Sequence, residues 1–181
     1  MRRVALIVAV IAAAGALASR GAPSSFGSSI QRADESAWVG GQPSSNDLAV
    51  LCGVGVRTVI DLREGVEHDV DVERGETNYL GMTFVHIPVR ADAPRDRDAD
   101  AFLAATARIE AFPIFVHCAS GNRAAAFWMI RRLVVDGWPA EAAEAEARRV
   151  GLRSAALRDF AVEYASRRLT GPAGGPEEDE P

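Results

Sequence analysis

Two spacings of apolar residues alternate along the chain, one typical of strands and the other of helices. Runs of β-branched and aromatic residues predict strands at residues 56–62, 82–87 and 114–117, with a shorter extended piece at 38–40. Between and after these runs, apolar positions recur at helical intervals. They predict helices at residues 44–52, 67–80, 98–112, 123–136, 139–149 and 154–167.

This alternation predicts an α/β fold, with a three-layer arrangement of a mainly parallel sheet and helices on both faces. The helix at residues 123–136 is apolar nearly all round, so we expect it to be deeply buried. In such sheets, ligands bind beyond the carboxyl ends of the strands. His117 and Cys118 lie at that edge, as do Arg63 and Asp92, which follow two other strands.

The two ends of the chain differ in composition from its middle. Residues 1–18 combine two arginines, an uncharged apolar run and small residues in an A-x-A arrangement, the pattern of a secretory signal. Because the run is short for a membrane span, an uncleaved N-terminal membrane anchor is the alternative. Residues 19–36 resemble a linker, and residues 170–181 predict a disordered acidic tail without a large apolar residue. We therefore expect one domain at residues 37–169 of an exported protein, periplasmic or secreted.

The net charge and the positions of the two cysteines bear on nucleic-acid binding and on disulfide formation. The net charge of −5 owes much to the acidic tail, and no basic stripe stands out, so we expect no nucleic-acid partner. An exported protein with two cysteines can form a disulfide. However, Cys52 ends the helix that leads into the strand at 56–62, and so lies at the opposite edge from Cys118, too far for a bond. We expect Cys52 to be a small buried apolar residue.

The sequence FVHCASGNRA, residues 115–124, joins the last strand to the buried helix. Successive backbone N–H groups at such a junction, together with the helix dipole, form an anion-binding site, and Gly121 allows the tight curvature that brings them together. A thiolate is favoured at a helix N-terminus beside an arginine, so Cys118 is a candidate nucleophile. Arg123 can hold two oxygens of a tetrahedral anion. Alternatively, Cys118 is a buried structural thiol and Arg123 a solvent-facing helix start.

The histidines do not suggest a metal site, because their spacing is not that of ligands. We expect His117 to pack under the loop and hydrogen-bond it rather than act as a base. His68 is expected at the surface, and His86 in the core or behind the site. Gln42 and Asp61 are further candidate neighbours of the site, Asp61 as a residue that fixes a loop.

Transfer of a phosphoryl group to Cys118 needs a proton donor for the departing oxygen. Carboxylates at the same edge lie in residues 90–100. The candidates are Asp92, Asp96 and Asp98, with helix capping as the alternative role of Asp98. Asp92 is preferred because it lies closest to the strand end, in a loop that contains proline.

Four stretches together resemble the cysteine-dependent protein tyrosine and dual-specificity phosphatases. They are residues 41–43, 58–63, 86–89 and 116–123, of which the last is specific and the others are supportive. The resemblance extends over residues 38–152. It is closest to bacterial phosphatase-like proteins, including the beta-lactamase-hydrolase-like group and phosphatase domains fused to NAD kinases.

This resemblance implies a dual-specificity-phosphatase-like fold and the hydrolysis of phosphate monoesters, with a phosphorylated protein or small phosphoester as partner and no cofactor. In that family the cysteine forms a phosphocysteine, the arginine binds phosphate and an upstream aspartate is the general acid. Carried over, these residues are Cys118, Arg123 and Asp92. The residues expected to bind substrate are Ala119, Ser120, Gly121, Asn122 and Arg63, with His117 behind the cysteine.

Two departures from the family pattern leave other functions open. Four residues separate Cys118 from Arg123, where the family has five, and Ala124 replaces a Ser or Thr whose hydroxyl helps the thiolate leave. We therefore expect slow breakdown of a phosphocysteine, unless Ser120 replaces that hydroxyl. The shorter spacing is similar to that of rhodanese-type sulfurtransferases, whose cysteine carries a persulfide. A rhodanese-like sulfurtransferase and a non-catalytic anion-binding module are the alternative functions.

Overall fold

Five strands form one sheet in the structure, a computed structural model that describes residues 29–108 and 111–171. In chain order they are β1 Ile30–Arg32, β2 Ala37–Gly40, β3 Thr58–Asp61, β4 Thr83–His86 and β5 Ile114–His117. Their spatial order is β1-β2-β5-β3-β4, in which β1 and β2 are antiparallel and the other pairs are parallel. The predicted mainly parallel sheet is confirmed.

Within the described residues, six helices cover both faces of this sheet. They are α1 Ser45–Gly53, α2 Val70–Tyr79, α3 Asp96–Ala105, α4 Asn122–Val134, α5 Ala140–Val150 and α6 Ala155–Thr170. Because successive strand residues point to opposite faces, the core divides into two clusters. Val59 and Phe115 pack with Leu48 of α1. Ile60 and Val116 belong to the larger cluster around α4, so the predicted three layers are confirmed.

Helix α4 lies at the centre of the larger core, as its apolar residues predict. Phe127, Trp128, Met129 and Ile130 are consecutive, point to all sides of the helix and are fully buried. The helix packs against α3, α5 and α6, and against β2 and β5. Its N-terminus is therefore fixed next to the end of β5, where the candidate chemistry lies.

Side-chain caps define two helix starts that the sequence predicts. At α1, the N–H of Asp47 donates to Ser44 Oγ over 3.2 Å and the N–H of Ser44 donates to Asp47 Oδ2 over 2.9 Å. At α6, the N–H of Leu157 donates to Ser154 Oγ over 3.3 Å. Both predicted caps are confirmed.

The sheet extends into a segment that the sequence predicts to be a linker. Strand β1 lies within residues 19–36, where Ile30 is buried and the next two residues are exposed. So short a strand has no alternation long enough to be recognised. The predicted boundary at residue 37 is therefore corrected, because the sheet starts at Ile30.

Helix α3 is shorter than the apolar spacing predicts. It ends at Ala105, whereas that spacing continues to residue 112. The hydroxyl of Thr106 donates to the carbonyl oxygens of Phe102 and Leu103, at 3.0 and 3.3 Å. The Leu103 oxygen is the acceptor that a longer helix would offer to the N–H of Ala107, which instead donates to the carbonyl oxygen of Ala104 over 3.3 Å.

The predicted signal or anchor at residues 1–18 lies outside the described residues. So does the predicted tail, apart from Thr170, which ends α6, and Gly171. In the ranges 29–108 and 111–171, no helix combines the length and the apolar character needed to cross a membrane.

Candidate active site

The carboxyl ends of three parallel strands meet beneath the FVHCASGNRA loop. Gly40 of β2 and Asp61 of β3 are the register partners of His117, the last residue of β5. Cys118 follows directly and is only 1% exposed. Its N–H donates to the carbonyl oxygen of Gly40 over 3.2 Å. The sheet therefore fixes the backbone of this cysteine.

The loop folds back over the sulfur of Cys118. The N–H of Gly121 donates to Cys118 Sγ over 3.2 Å. On the outer side of the loop, the N–H of Gln42 donates to the carbonyl oxygen of Ala119 over 3.2 Å. A backbone N–H directed at sulfur stabilises the thiolate, so this geometry suits a nucleophile better than a structural thiol.

Gly121 sets the curvature of the loop, with a φ of +90° immediately before the first residue of α4. A Cβ added at Gly121 would lie 3.4 Å from the carbonyl carbon of Gly40, an ordinary contact. The positive φ, rather than a lack of space, is therefore what requires glycine here.

We expect Gly121→Ala to lower the free energy of unfolding by about 1–2 kcal/mol, because alanine is strained in the left-handed region. Urea denaturation measures this loss. The control is Gly75→Ala in α2, where no atom lies within 4 Å of an added Cβ and φ is not positive. That change should stabilise the helix. Equal stability of Gly121→Ala and wild type would contradict the assignment of strain to this position.

Arg123, in the first turn of α4, is held by three separate segments. Its Nη1 donates to Glu67 Oε1 over 2.7 Å and to the carbonyl oxygens of Val89 and Leu62 over 2.8 and 3.3 Å. Its Nη2 donates to Glu67 Oε2 over 2.7 Å. These four bonds do not use Nε, so the Nε–Nη2 edge can hold an anion. The hydrogen bond with Glu67 raises the pKa of Arg123 against the effect of burial, and the charge of nearby Cys118 raises it further.

Glu67 is a residue of the site that the sequence does not reveal. It lies between β3 and α2, where the N–H of Glu64 donates to Glu67 Oε1 over 2.8 Å and orients the carboxylate. The hydrogen bond from Arg123 is the main cause that lowers the pKa of Glu67, so this carboxylate is ionised at neutral pH. An acidic residue in a polar loop has no pattern that distinguishes it from a solvated surface charge.

Beneath the loop lies a buried charge cluster, formed by Asp61, Arg63, Glu73 and His117. Arg63 donates from Nε and Nη2 to the two carboxylate oxygens of Asp61, at 3.0 and 3.1 Å, and also bonds Glu73. Arg63 is only 1% exposed. Its predicted role in substrate binding is therefore corrected, because two carboxylates hold its guanidinium inside the protein. Asp61 fixes the backbone as predicted, accepting a 2.9 Å bond from the N–H of Arg63.

His117 belongs to this cluster through Glu73. Its Nε2 lies 2.8 Å from Glu73 Oε1, and its ring stacks on Phe115. The predicted hydrogen bond to the loop is thus replaced by a contact with α2. Burial would raise the pKa of Glu73, but the hydrogen bond and charge of His117, together with Arg63, lower it.

The buried charge cluster also has the spacing of a metal site. Ligand atoms of Asp61, Glu73 and His117 all lie within 4.8 Å of one another. Arg63 already compensates both carboxylates, so these residues act as an ion-pair cluster rather than a cation site.

The other two histidines adjoin the same cluster. His68 Nε2 lies 2.7 Å from Asp61 Oδ2, and only 7% of the His68 side chain is exposed. The predicted surface position of His68 is therefore wrong. His86 Nε2 lies 2.7 Å from the carbonyl oxygen of Arg63, behind the site as predicted.

Comparison with known proteins decides the family. Residues 17–159 match the family described as DSP-PTPase phosphatase fused to NAD+ kinase. The chain belongs to this family. The resemblance to cysteine-dependent phosphatases is confirmed, and with it the phosphatase class of function. No curated protein matches the chain in sequence.

Solved structures share the fold of this phosphatase domain. A DUF442 phosphatase from Shewanella putrefaciens CN-32 is 25% identical, with a TM-score of 0.67 over 77% of this chain and 93% of that one. TpbA of P. aeruginosa, in complex with pTyr, is 23% identical, with a TM-score of 0.62 over 81% and 91%. PTPMT1, in complex with PI(5)P, is 20% identical, with a TM-score of 0.66 over 77% and 96%. The predicted dual-specificity-phosphatase-like architecture is confirmed.

The remaining loop residues of the phosphatase site have separate positions. Ala119 and Ser120 are exposed, and Ser120 pairs with Gly41. Asn122 Oδ1 accepts bonds from the N–H groups of Arg153 and Ser154, at 2.6 and 2.9 Å. The Asn122 side chain therefore fixes the turn between α5 and α6. Substrate binding by this loop stays a prediction that rests on its backbone N–H groups.

The three candidate acids of the phosphatase are held differently. Asp98 Oδ2 accepts the N–H of Arg95 over 3.0 Å, so Asp98 caps α3, and Asp96 Oδ1 accepts a 2.8 Å bond from Arg167. Asp92 is exposed. Arg90 donates from Nε and Nη2 to the two carboxylate oxygens of Asp92, at 3.1 and 2.8 Å. This hydrogen-bonded pair lowers the pKa of Asp92. Asp92 stays the preferred candidate, because it is tied neither to a helix start nor to α6.

We expect Arg90→Ala to move the basic limb of the kcat/KM pH profile to higher pH, because kcat/KM reports the first step, in which Asp92 is the proposed acid. A general acid works only while it is protonated, and removing Arg90 allows the pKa of Asp92 to rise. In Asp92→Asn the basic limb should disappear, and alkyl phosphates should lose more kcat/KM than aryl phosphates, whose oxygen leaves more easily. Arg74→Ala is the control, since it breaks a comparable exposed pair with Asp71 in α2. An unchanged basic limb in Asp92→Asn rules Asp92 out.

Proposed function

We propose that this phosphatase domain hydrolyses phosphate monoesters through a phosphocysteine formed on Cys118. One observation carries the proposal: Cys118 Sγ lies 3.2 Å from the N–H of Gly121, at the start of α4 and beside Arg123. Sγ bonds to phosphorus, the bond from phosphorus to the leaving oxygen breaks, and Asp92 supplies the proton for that oxygen. The loop N–H groups and Arg123 hold the other phosphoryl oxygens.

A water molecule completes the reaction. Its oxygen bonds to phosphorus as the S–P bond breaks, and its proton passes to the Asp92 carboxylate, which restores the acid. The Cys118 sulfur leaves as a thiolate. Ala124, fully buried behind the loop, has no hydroxyl to assist this departure. We therefore propose that the second step limits turnover and that phosphocysteine accumulates.

The full chain and p-nitrophenyl phosphate test this proposal. A rapid release of nitrophenol, equal to the enzyme concentration, should precede a slower steady rate. Acid quenching during the steady state should leave one phosphoryl group on the peptide that contains Cys118, and none on the peptide that contains Cys52. Steady hydrolysis that persists after alkylation of Cys118 would disprove the covalent mechanism.

The sulfurtransferase alternative makes a different prediction for the same cysteine. The family match and the acidic loop after β4 favour phosphoryl transfer, because sulfur transfer gives those carboxylates no role. Incubation with thiosulfate should therefore leave Cys118 without a persulfide. A persulfide on Cys118, in a protein that releases no phosphate, would support sulfur transfer. Anion binding without either product would support a binding module.

We propose that the substrate is a phosphorylated protein or a small phosphoester. Related folds are known in complex with pTyr, in TpbA, and with PI(5)P, in PTPMT1. In this chain, the small exposed residues Ala119 and Ser120 leave the loop open to substrates of different size. Release of orthophosphate from a phosphotyrosine peptide and from sugar phosphates would separate the two classes.

We propose that the protein is exported, periplasmic or secreted, with residues 1–18 as a cleaved signal or retained anchor. The family match begins at residue 17, so nearly all of this apolar segment precedes the phosphatase domain. N-terminal sequencing of the protein from a fractionated cell tests this proposal. A cytoplasmic protein that retains residue 1 would contradict export.

A further inference from the structure

A recess of about 230 Å³ lies against the outer side of the active-site loop. We call it the arginine recess; residues that line it include Ser29, Ser120, Asn122, Arg149, Gly151 and Arg153. Ser120 and Asn122 belong to the loop that carries Cys118, so the recess shares a wall with the phosphate site. Its volume is below the roughly 300–1,000 Å³ typical of sites for whole drug-sized ligands, and suits one small group.

The arginine recess lies at the same edge of the sheet as Cys118. Strand β1 is antiparallel to β2 and pairs Ile30 with Gly40, so Ser29 lies where β2 ends. The turn between α5 and α6 is joined to the loop by the two bonds that Asn122 Oδ1 accepts. Gly151 of that turn packs against Gly121. One ligand can therefore reach the recess and the phosphate site together.

Among the described residues, no carboxylate pairs with Arg153, and only Glu146 approaches Arg149. Arg149 donates from Nη1 and Nη2 to the carbonyl oxygens of Arg32 and Ala33, each at 2.9 Å. The Glu146 carboxylate lies 3.8 Å from Arg149, but it already accepts shorter bonds from Arg132.

Arg153 is bonded in a similar way. Its Nη1 donates to the carbonyl oxygens of Arg148 and Leu152, at 2.6 and 2.8 Å. These bonds fix the guanidinium groups without neutralising them, because a carbonyl oxygen carries no net charge. Hydroxyl groups of Ser29 and Ser120 add further donors.

No acidic residue of the described ranges lines the arginine recess. By contrast, a recess of about 390 Å³ beside Gln42 is lined by Asp69, Glu73 and Glu76. The surface around the loop is therefore polarised, and the arginine recess is the side that attracts anions.

We propose that the arginine recess binds a second anionic group of the substrate, which is a phosphate monoester with a second phosphate near the reacting one. The inference rests on the proposed function, because the reacting phosphate must occupy the Cys118 loop. Ser120 is two residues from Cys118, so their Cα atoms are at most about 7 Å apart. The recess therefore begins close to the reacting phosphate, which suits a second phosphate only a few bonds away.

Inhibition of p-nitrophenyl phosphate hydrolysis by phosphonates tests the recess with the full chain. Propane-1,3-bisphosphonate should inhibit at about tenfold lower concentration than propylphosphonate, because a charge-assisted contact is worth roughly that factor. Arg149→Gln/Arg153→Gln should reduce this preference to below about twofold and leave inhibition by propylphosphonate unchanged. Arg153→Gln alone should reduce the preference for the bisphosphonate in part. This single variant is informative because the Arg153 guanidinium bonds only to the carbonyl oxygens of Arg148 and Leu152 in the described residues, whereas that of Arg149 holds the end of β1.

Arg158→Gln is the matched control, because it removes the same charge from α6 at a side chain paired with Glu144. It should retain the tenfold preference. Equal inhibition by both compounds in wild type would overturn the inference, as would an undiminished preference in a folded double variant. In either case, retained hydrolysis and inhibition by propylphosphonate would leave the proposed function intact. Absence of hydrolysis by the folded wild type would overturn the proposed function, and the inference with it.

Discussion

Replacing Cys118 with serine is expected to lower kcat by roughly 10⁴-fold or more while the loop still binds phosphate. A serine hydroxyl is not ionised at neutral pH. His117, its neighbour in the chain, is not available as a base because its ring is engaged with Glu73. The bonds that shape the loop are made by backbone groups, namely Cys118 N–H to Gly40 and Gln42 N–H to Ala119. Turnover of p-nitrophenyl phosphate and calorimetric binding of propylphosphonate measure the two properties separately.

Cys52→Ser is the matched control for this change. Cys52 lies in α1, and its Sγ donates to the carbonyl oxygen of Leu80 over 3.3 Å, a bond that a serine hydroxyl can also make. Full activity is therefore expected. If Cys118→Ser retained a kcat within tenfold of wild type, Cys118 would not be the nucleophile.

The sequence predicts those elements whose burial pattern repeats over their whole length. Helix α4 and strand β5 are buried on every side, so uninterrupted apolar residues identify them. Strand β1 is different, because its pairing with β2 depends on backbone bonds rather than on its side chains. The end of α3 likewise falls at Thr106, whose hydroxyl bonds back to the preceding turn, a feature that no periodicity describes.

The candidate site divides in the same way between local and distant contacts. Cys118, Gly121 and Arg123 are neighbours in the chain, and their residue types alone predict an anion-binding loop. Glu67 is 56 residues from Arg123 and meets it only through the fold. Arg63 lies at the predicted edge of the sheet, but the unpredicted approach of Glu73 from α2 turns its charge inward. Ion pairs between distant elements are thus what the sequence could not supply.

Arg123→Ala is expected to lower kcat/KM by about 10³-fold, the upper end of the effect of removing one oxyanion donor. The guanidinium lies beside Cys118, and in the proposed mechanism its charge compensates the incoming phosphate. Its removal also leaves the Glu67 carboxylate unpaired at the site, where it repels the phosphate dianion. The pKa of Glu67 should rise towards its ordinary value, because Arg123 is the main cause that lowers it. Steady-state kinetics measure the loss of kcat/KM, and the inhibition constant of propylphosphonate measures the loss of phosphate binding.

Glu67→Gln distinguishes charge repulsion from the positioning of Arg123. Alone, it should lower kcat/KM by about tenfold, because Arg123 keeps its charge and its bonds to Leu62 and Val89 but loses the paired carboxylate. Combined with Arg123→Ala, it should recover about tenfold of the activity that Arg123→Ala loses, because the repelling carboxylate is gone. Glu64→Gln is the control, because it removes one charge from the same loop at a side chain that does not bond Arg123. It should leave kcat/KM unchanged in wild type and in Arg123→Ala. Strictly additive losses for Arg123→Ala and Glu67→Gln would show that the two residues act independently.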